Sequence, residues 1–352
     1  MAYTTIDDPS AHFQTMIFTG DGNDNRALTN DGNSDLQPDW IWFKNRATTN
    51  SHNVLDSTRG VGKTLEGTNS NSAEGDTSTR LTSFDSDGFT VKTDPSVNGN
   101  TNGIVAWQWK ANGGTRTTVT ESGSNPGGGH QSDTTAGFSI VDYVGTGGAG
   151  HVTHGLGVVP EWIIMKNRDE AESWLIYHVG IGNGKGLRLD TTAAADTTAN
   201  HWANTTPNAN TIVVGGNPPN NKDGVNYIAY CFASIKGYSK FGSYIGNGAA
   251  DGPFIYTGFK PAWILYKNTG AAEEWVLQDT TRDSNNPVII NIRPDSNIVE
   301  ASASSLDIDF LSNGFKNRSD QAQLNSDGVV YIYMAFAESP FVTSTGIPTT
   351  AR

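Results

Sequence analysis

Cysteine is almost missing from this chain. Cys231 stands alone, so no disulfide can form within it and no Cys-based zinc site can be assembled. That residue lies in the apolar run from Tyr227 to Phe232, where a free thiol is expected to behave as an inert, small, buried hydrophobe. Basic residues are scarce too: 23 Lys and Arg face 36 Asp and Glu, a formal net charge of -13. Such a surface repels a phosphate backbone or an anionic bilayer, so nucleic acid is not expected as a partner. No run approaches the ~20 apolar residues that a membrane-crossing helix needs, so membrane insertion is not expected either. The segment Met1 to Ser10 is polar and carries two aspartates instead of a basic leader. A polar, acidic, glycine-rich chain of this kind fits a particle released by lysis.

Good helix formers are also few. In their place stand 40 glycines and many Asn, Asp, Thr and Ser residues between short apolar runs, the composition of strands joined by turns. At roughly 150 residues per domain, the 352 residues suggest two or three independently cored units.

Internal repetition then organises the chain. The run Pro38-Asp39-Trp40-Ile41-Trp42-Phe43-Lys44-Asn45-Arg46 returns as Pro160-Glu161-Trp162-Ile163-Ile164-Met165-Lys166-Asn167-Arg168 and as Pro261-Ala262-Trp263-Ile264-Leu265-Tyr266-Lys267-Asn268. A closing landmark follows each: Val105 to Trp109, Ile228 to Phe232 and Ile332 to Phe336. The spacing from landmark tryptophan to last aromatic is 69, 70 and 73 residues. An aromatic followed by Gly-x-Gly opens each copy, at Phe18-Thr19-Gly20-Asp21-Gly22, Tyr143-Val144-Gly145-Thr146-Gly147 and Tyr244-Ile245-Gly246-Asn247-Gly248. These landmarks define an N-terminal arm over 1–11, modules over 12–111, 137–236 and 237–341, a Gly/Ser/Thr-rich linker over 112–136 that sets the first module apart, and an extended tail over 342–352.

Each module reads as β. A proline sets an extended entry to the first landmark, and the run after it is β-favouring and too short for a stable helix. Trp174-Leu175-Ile176 and Trp275-Val276-Leu277 begin 12 residues beyond the landmark tryptophans and are expected to pair with those strands as hairpins. Phe84-Asp85-Ser86-Asp87-Gly88-Phe89 and Phe310-Leu311-Ser312-Asn313-Gly314-Phe315 carry Asp-Gly and Asn-Gly, which predict tight turns with the phenylalanines packed across the strands. Module two has Thr211 to Gly216 there, so its hairpin should be reshaped. Many short strands with turn punctuation point to an all-β chain of three tandem β-sandwich modules, of jelly-roll or lectin-like type.

Chemistry is harder to find. The acidic residues Asp21, Asp31, Asp85 and Asp87 sit in turn contexts, and no paired carboxylates of a glycosidase stand out. Asp21 to Asn25 and Asn30 to Asp35 are oxygen-rich but lack the twelve-residue EF-hand pattern, so no metal and no cofactor are expected. His151 and His154 in a Gly-rich loop are expected to be exposed to solvent. Asp56-Ser57-Thr58-Arg59 is echoed by Asp279-Thr280-Thr281-Arg282, while module two has His178-Val179-Gly180. A salt bridge or turn clamp within the module explains that recurrence better than a ligand site. Val61-Gly62-Lys63-Thr64 lacks the upstream glycine and helix of a phosphate loop, and Gly145 to Gly150 lacks the βαβ context of a dinucleotide site. Trp202, in a polar loop, is the best single candidate for stacking on a sugar. No catalytic residue is expected.

The assembled motifs resemble a family of tandem-repeat, tail-fibre-like virion structural proteins of marine tailed phages. They are aromatic-x-Gly-x-Gly, Pro-x-Trp-Ile-x-x-Lys-Asn, Asp-x-x-Arg, Phe-x-Ser-x-Gly-Phe and Tyr-Ile-Ala-Tyr-x-Phe-Ala. The copies quoted above carry them, with Lys240 to Tyr244, Tyr331 to Ala337, the opening Ala2 to Pro9 and the close Phe341 to Arg352 also similar. The resemblance implies a non-enzymatic virion component of a phage infecting a marine bacterium, in an exterior appendage such as a tail fibre. It would contact other virion proteins or a host surface glycan and assemble as a homo-oligomer, with a trimer favoured. Capsid decoration and carbohydrate binding are the alternatives, and an enzyme acting on capsule polysaccharide is the least favoured. Met1 to Ala11 would be the docking arm.

Overall fold

The computed structural model describes residues 2–197 and 200–349, and antiparallel strands dominate it. The all-β, sandwich-like fold class expected from composition is the observed one. Four strands recur in the same spatial order in three sheets: opening, closing, landmark and hairpin strand. In the first sheet these are Phe13–Thr19, Gly103–Trp109, Trp40–Asn45 and Asn53–Asp56. In the second they are Phe138–Val144, Asn226–Phe232, Trp162–Asn167 and Leu175–His178. In the third they are Ser239–Ile245, Val330–Pro340, Phe259–Asn268 and Val276–Asp279. The register repeats as well: Trp40 faces Trp109, Trp162 faces Phe232 and Trp263 faces Phe336. The hairpins expected after the landmark strands form, with Met165 opposite Leu175 and Tyr266 opposite Val276.

Every residue of the three landmark strands from tryptophan to asparagine is buried, because each sheet is covered on both faces. Outward residues such as Ile41 and Phe43 pack beneath a small outer layer containing Leu81, Phe89 and Val91, and the other two sheets carry comparable outer cores around Ile212 and Phe315. Inward residues of all three sheets meet in one shared core. Trp40 stacks on Tyr230 at 4.7 Å, Trp109 meets Trp263 edge-on at 5.8 Å, and Phe232 meets Phe336 at 6.1 Å. Each sheet therefore buries its inner face on its neighbours. This corrects the expectation of independently cored units with the first set apart: aromatics of 150–250 Å² each are the main apolar payload, and eight of the nine tryptophans point to the common centre.

The flanking segments differ from expectation for physical reasons. Within 112–136, expected to be a linker, Thr117–Val119 and Gly128–Asp133 extend the second sheet as strands. The glycines there serve close approach, since a Cβ on Gly128 would lie 2.1 Å from the Asp142 carbonyl oxygen. The segment expected as a docking arm is packed down: Thr4, Ile6 and Pro9 are buried, and Tyr3 donates its hydroxyl hydrogen to the Gly258 carbonyl at 2.7 Å. The tail turns back at Val342 and Pro348, with the Ser344 amide donating to Asp7 at 2.6 Å. Positions 1 and 350–352 of those two segments lie outside the described residues.

The Phe84/Phe89 and Phe310/Phe315 pairs form across their strands as expected. The turn residues are Ser86-Asp87 and Ser312-Asn313, however, and the glycines sit at the start of the returning strands. Gly88 and Gly314 are required there because a Cβ would strike the Leu28 or Ile255 carbonyl oxygen at 2.0 or 2.1 Å. In module two, Thr211–Val214 pairs only with Gly150–Thr153, so the outer layer has two strands instead of three.

Candidate functional site: the seams and the outer faces

The repeated motifs explain themselves at the places where the sheets meet. In the landmark Lys-Asn, the lysine is fully buried and donates to carbonyls across a seam. Lys44 reaches Asn297 at 3.2 Å, Lys166 reaches Asn71 at 3.2 Å and Lys267 reaches Thr192 at 3.0 Å. Module one thus grips three, two grips one and three grips two, a closed cycle. Burial lowers all three ammonium pKa values to about 8. The following asparagine ties its own strand to a distant carbonyl: Asn45 to Pro95 at 2.8 Å, Asn167 to Pro218 at 3.0 Å and Asn268 to Ala322 at 2.8 Å.

The Gly-x-Gly loops have one design. A Cβ on Gly20, Gly145 or Gly246 would lie 2.1–2.2 Å from a carbonyl oxygen, and Gly22, Gly147 and Gly248 have φ of +70°, +74° and +66°. Each loop is clamped by a buried asparagine: Asn98, Asn221 and Asn325 accept from the loop amides of Asp21, Thr146 and Asn247 at 3.1, 2.9 and 2.8 Å. Sequence reasoning passed these asparagines over. Their signal was their constant position, each 11 residues before the last aromatic of the closing landmark.

The Asp-x-x-Arg pairs form as buried clamps. Asp56 accepts from Arg59 Nε at 2.6 Å and Asp279 accepts from Arg282 Nε at 2.6 Å, with all four side chains fully buried. Each clamp also crosses a seam. Arg59 donates to Glu74 at 3.1 Å, Glu74 takes a bidentate pair from Arg168 at 2.9 Å, and Tyr230 donates to Asp56 at 2.7 Å. In the counterpart, Arg282 donates to Glu300 at 3.1 Å, Arg46 holds Glu300 at 2.8 and 2.6 Å, and Trp107 donates to Asp279 at 3.1 Å. Burial would raise the Glu74 carboxyl, but Arg168 and Arg59 outweigh it and hold the group below its ordinary range. At the third seam the same positions are His178, Ile181 and Ala195. Register places His178 opposite Trp162 as Asp56 is opposite Trp40, and the Ala195 amide donates to Thr269 at 3.0 Å as Glu74 does to Arg168.

The remaining sequence candidates are scattered. Trp202 is fully buried, edge-on to Tyr177 at 5.4 Å, so it is a core anchor and not a sugar platform; a 3-10 turn over Asn200–Trp202 carries it inward despite its polar neighbours. His151 is exposed as expected, whereas His154 is buried between the Asn208 carbonyl at 3.0 Å and the Leu156 amide at 3.2 Å. Cys231 is fully buried, and burial pushes its thiol up. The Asp21 carboxylate accepts from the Asn23 amide at 2.9 Å and Asn98 at 3.1 Å. Among the described residues no group of three or more His, Cys, Asp or Glu is placed to hold a metal ion. Lys63 and Thr64 lie in the strand Lys63–Glu66.

A family described as a domain of unknown function, DUF7483, matches residues 8–340. The chain belongs to this family. No curated protein and no solved structure matches it. The DUF7483 match begins just before the first opening strand and ends at Pro340, the last residue of the third closing strand, so it takes in all three sheets and their seams.

Proposed function

We propose that the chain is a structural protein of a phage virion, part of an exterior appendage such as a tail fibre or tail-associated adhesion protein, and that it does no chemistry of its own. The observation that carries this reading is the closed cycle of three like sheets around one aromatic core, joined by buried lysines and arginines across the seams. The buried lysines, aspartates and arginines of the repeated motifs hold the ring together, and polar loops are left for contacts. The motif resemblance to tail-fibre-like proteins of marine phages supports the same reading. Three like sheets around one core within a single chain resemble the arrangement that three copies of an appendage protein would build, which supports the reading. A solution mass near 37.6 kDa means that the ring acts alone, and three times that value means that a homotrimer is formed.

Gold-labelled antibody against the chain, applied to purified virions of the encoding phage, tests the reading. Label on the tail is expected; label on the capsid shifts the assignment to capsid decoration, and virions without label overturn it.

A further inference from the structure

The three outer layers provide an internal control, because equivalent strands present different side chains to solvent. In the first, Arg26–Leu28 turns Leu28 inward against Phe89 and leaves Ala27 and Thr29 exposed. In the second, Gly150–Thr153 turns Val152 inward opposite Ile212, leaving His151 and Thr153 at those places. In the third, Phe254–Tyr256 turns Ile255 inward opposite Phe315, and the outward residues are Phe254 and Tyr256, 46% and 57% exposed. Alanine and threonine satisfy the fold at this position, so folding does not require aromatics there. All nine tryptophans are buried, which makes this exposed aromatic pair conspicuous on the surface.

The pair is also held in place. The Tyr3 hydroxyl lies 3.2 Å from that of Tyr256 while donating to the Gly258 carbonyl at 2.7 Å, and the Lys236 amine sits 4.3 Å over the Tyr3 ring. Phe254 lies directly across from Lys316, whose amine donates to the Gly252 carbonyl and pairs with the Asp251 carboxylate, both at 2.9 Å. The result is two flat apolar rings, about 7 Å apart as alternate residues of a strand, bordered by the tyrosine hydroxyls, the Lys236 amine and the Lys316–Asp251 pair.

We propose that this face of module three, built from Phe254 and Tyr256 with Tyr3 at its border, binds a neutral polysaccharide by stacking on the apolar faces of successive pyranose rings. The inference deepens the reading of the chain as a surface appendage by naming the substrate class it meets. A sugar ring has one apolar CH face and a rim of hydroxyls, which matches a ring platform with a polar border. A protein partner fits less well, because two side chains of at most about 250 Å² each fall short of the roughly 800 Å² per partner of a stable protein interface.

The test exchanges the module-three pair for the residues of module one, Phe254→Ala with Tyr256→Thr, in the full chain. Parent and variant are run in native gels containing dissolved dextran, mannan, laminarin or galactan. The parent is expected to be retarded by at least one polysaccharide, the exchanged variant to bind it about tenfold more weakly or less, and Phe254→Tyr to retain binding. An unchanged melting temperature shows that the exchange left the fold intact; should it unfold the chain, Tyr256→Thr alone serves as the variant. Lack of retardation by all four polysaccharides overturns the proposal, as does retardation that survives the exchange. Loss of a protein contact instead, seen as a change in self-association, overturns it too. Label on the virion together with no polysaccharide binding sinks this inference and leaves the appendage reading standing. Binding lost on exchange, with no label on the virion, does the reverse.

Discussion

Among the described residues, two seams of the ring are closed by ion pairs and one is not. Between modules one and two, and between one and three, an Asp-Arg clamp, a bridging glutamate and a second arginine span the junction. Between modules two and three the same places hold His178, Ile181 and Ala195, and Ile181 and Ala195 pack on the shared core. The backbone contact is kept in all three, with amide-to-carbonyl distances of 2.7, 3.0 and 3.0 Å for Glu74, Glu300 and Ala195. Closure of the ring therefore depends on the backbone bridge, the buried lysine and the aromatic centre, and the ion network is an addition to that frame. Buried ion pairs gain little net stability over apolar packing, because desolvation offsets most of their attraction, but breaking one by removing a single partner is costly.

The largest expected effect follows from that asymmetry. Arg59→Leu leaves Asp56 and Glu74 without their shared cation in a site where the arginine and aspartate are fully buried. A loss of about 3–5 kcal/mol is expected, measured by urea unfolding of the full chain. An effect below about 1 kcal/mol would mean that the charged seam is no more committed than an exposed salt bridge and would erase the distinction between the seams.

Acid should act next, on buried histidines before it reaches the bridging glutamates. Burial holds His178 down at about 3, and burial together with the Lys44 charge holds His52 at about 3. An imidazole neutral in the fold but ordinary, near 6.5, in the unfolded chain contributes stability that is whole above pH about 6.5. It is lost as pH falls toward 3, by about 1.4 kcal/mol per pH unit for each ring. Glu74 has the opposite sign of charge and a lowered pKa, so its contribution is kept until the pH falls below the ordinary carboxylate range near 4.3. Between pH 6.5 and 4.5 the losses thus come from histidines, to which His154 and His201, both lowered by burial, add. His178→Gln, whose amide oxygen can still accept from the Gly180 amide that His178 binds at 2.8 Å, is expected to flatten the stability slope by one ring's share. An unchanged slope would remove His178 from the account.

A smaller effect is expected at the outer end of the network. Arg168 is 20% exposed, and its loss leaves Glu74 paired with Arg59. Arg168→Ala should cost no more than about 1 kcal/mol in the same unfolding measurement. A cost equal to that of Arg59→Leu would make the network a single unit instead of a buried clamp with a solvated outer partner.

Much of this architecture was legible because short motifs repeat at fixed spacing. Pro-x-Trp marks the landmark strand, and the constant separation from Trp40, Trp162 and Trp263 to the closing aromatics reports a strand pair in register. What covers a strand was not legible. A run such as Trp162-Ile163-Ile164-Met165 says that both faces are buried, but it does not say that one face meets another module. Asp56 and Arg59 were read correctly as a clamp, yet Glu74 and Arg168 lie 15 and 109 residues beyond Arg59 in the chain, and no local pattern joins them. Gly127 to Gly129 suggested flexibility by composition, whereas the structure uses small residues to bring strands close. Trp202 misled because polar neighbours were taken for a polar environment. The platform of Phe254 and Tyr256 was invisible for the opposite reason: in a strand whose inward residue is Ile255, only the structure tells which set of alternate residues faces water.

The comparison of seams is sharpest where the expected effect is nearest to zero. Asp279→His, Arg282→Ile and Glu300→Ala together rewrite the seam between modules one and three with the residues of the seam between two and three. Arg282→Ile alone leaves Asp279 buried without its partner and should cost about 3–5 kcal/mol. Adding the other two changes removes the buried Asp279 carboxylate and the partly exposed Glu300 carboxylate, and Arg46, 23% exposed, turns to solvent. The indole N–H of Trp107 then loses Asp279, at 3.1 Å, and that lost hydrogen bond is expected to cost about 1 kcal/mol. The triple variant should therefore recover most of the loss and unfold within roughly 1.5 kcal/mol of the parent above pH about 6.5, where the new histidine is neutral, since replacing a whole buried ion network by uncharged groups is often neutral. A triple variant as unstable as Arg282→Ile alone would mean that the seams are not interchangeable, and that the charges do more for ring closure than the apolar seam indicates.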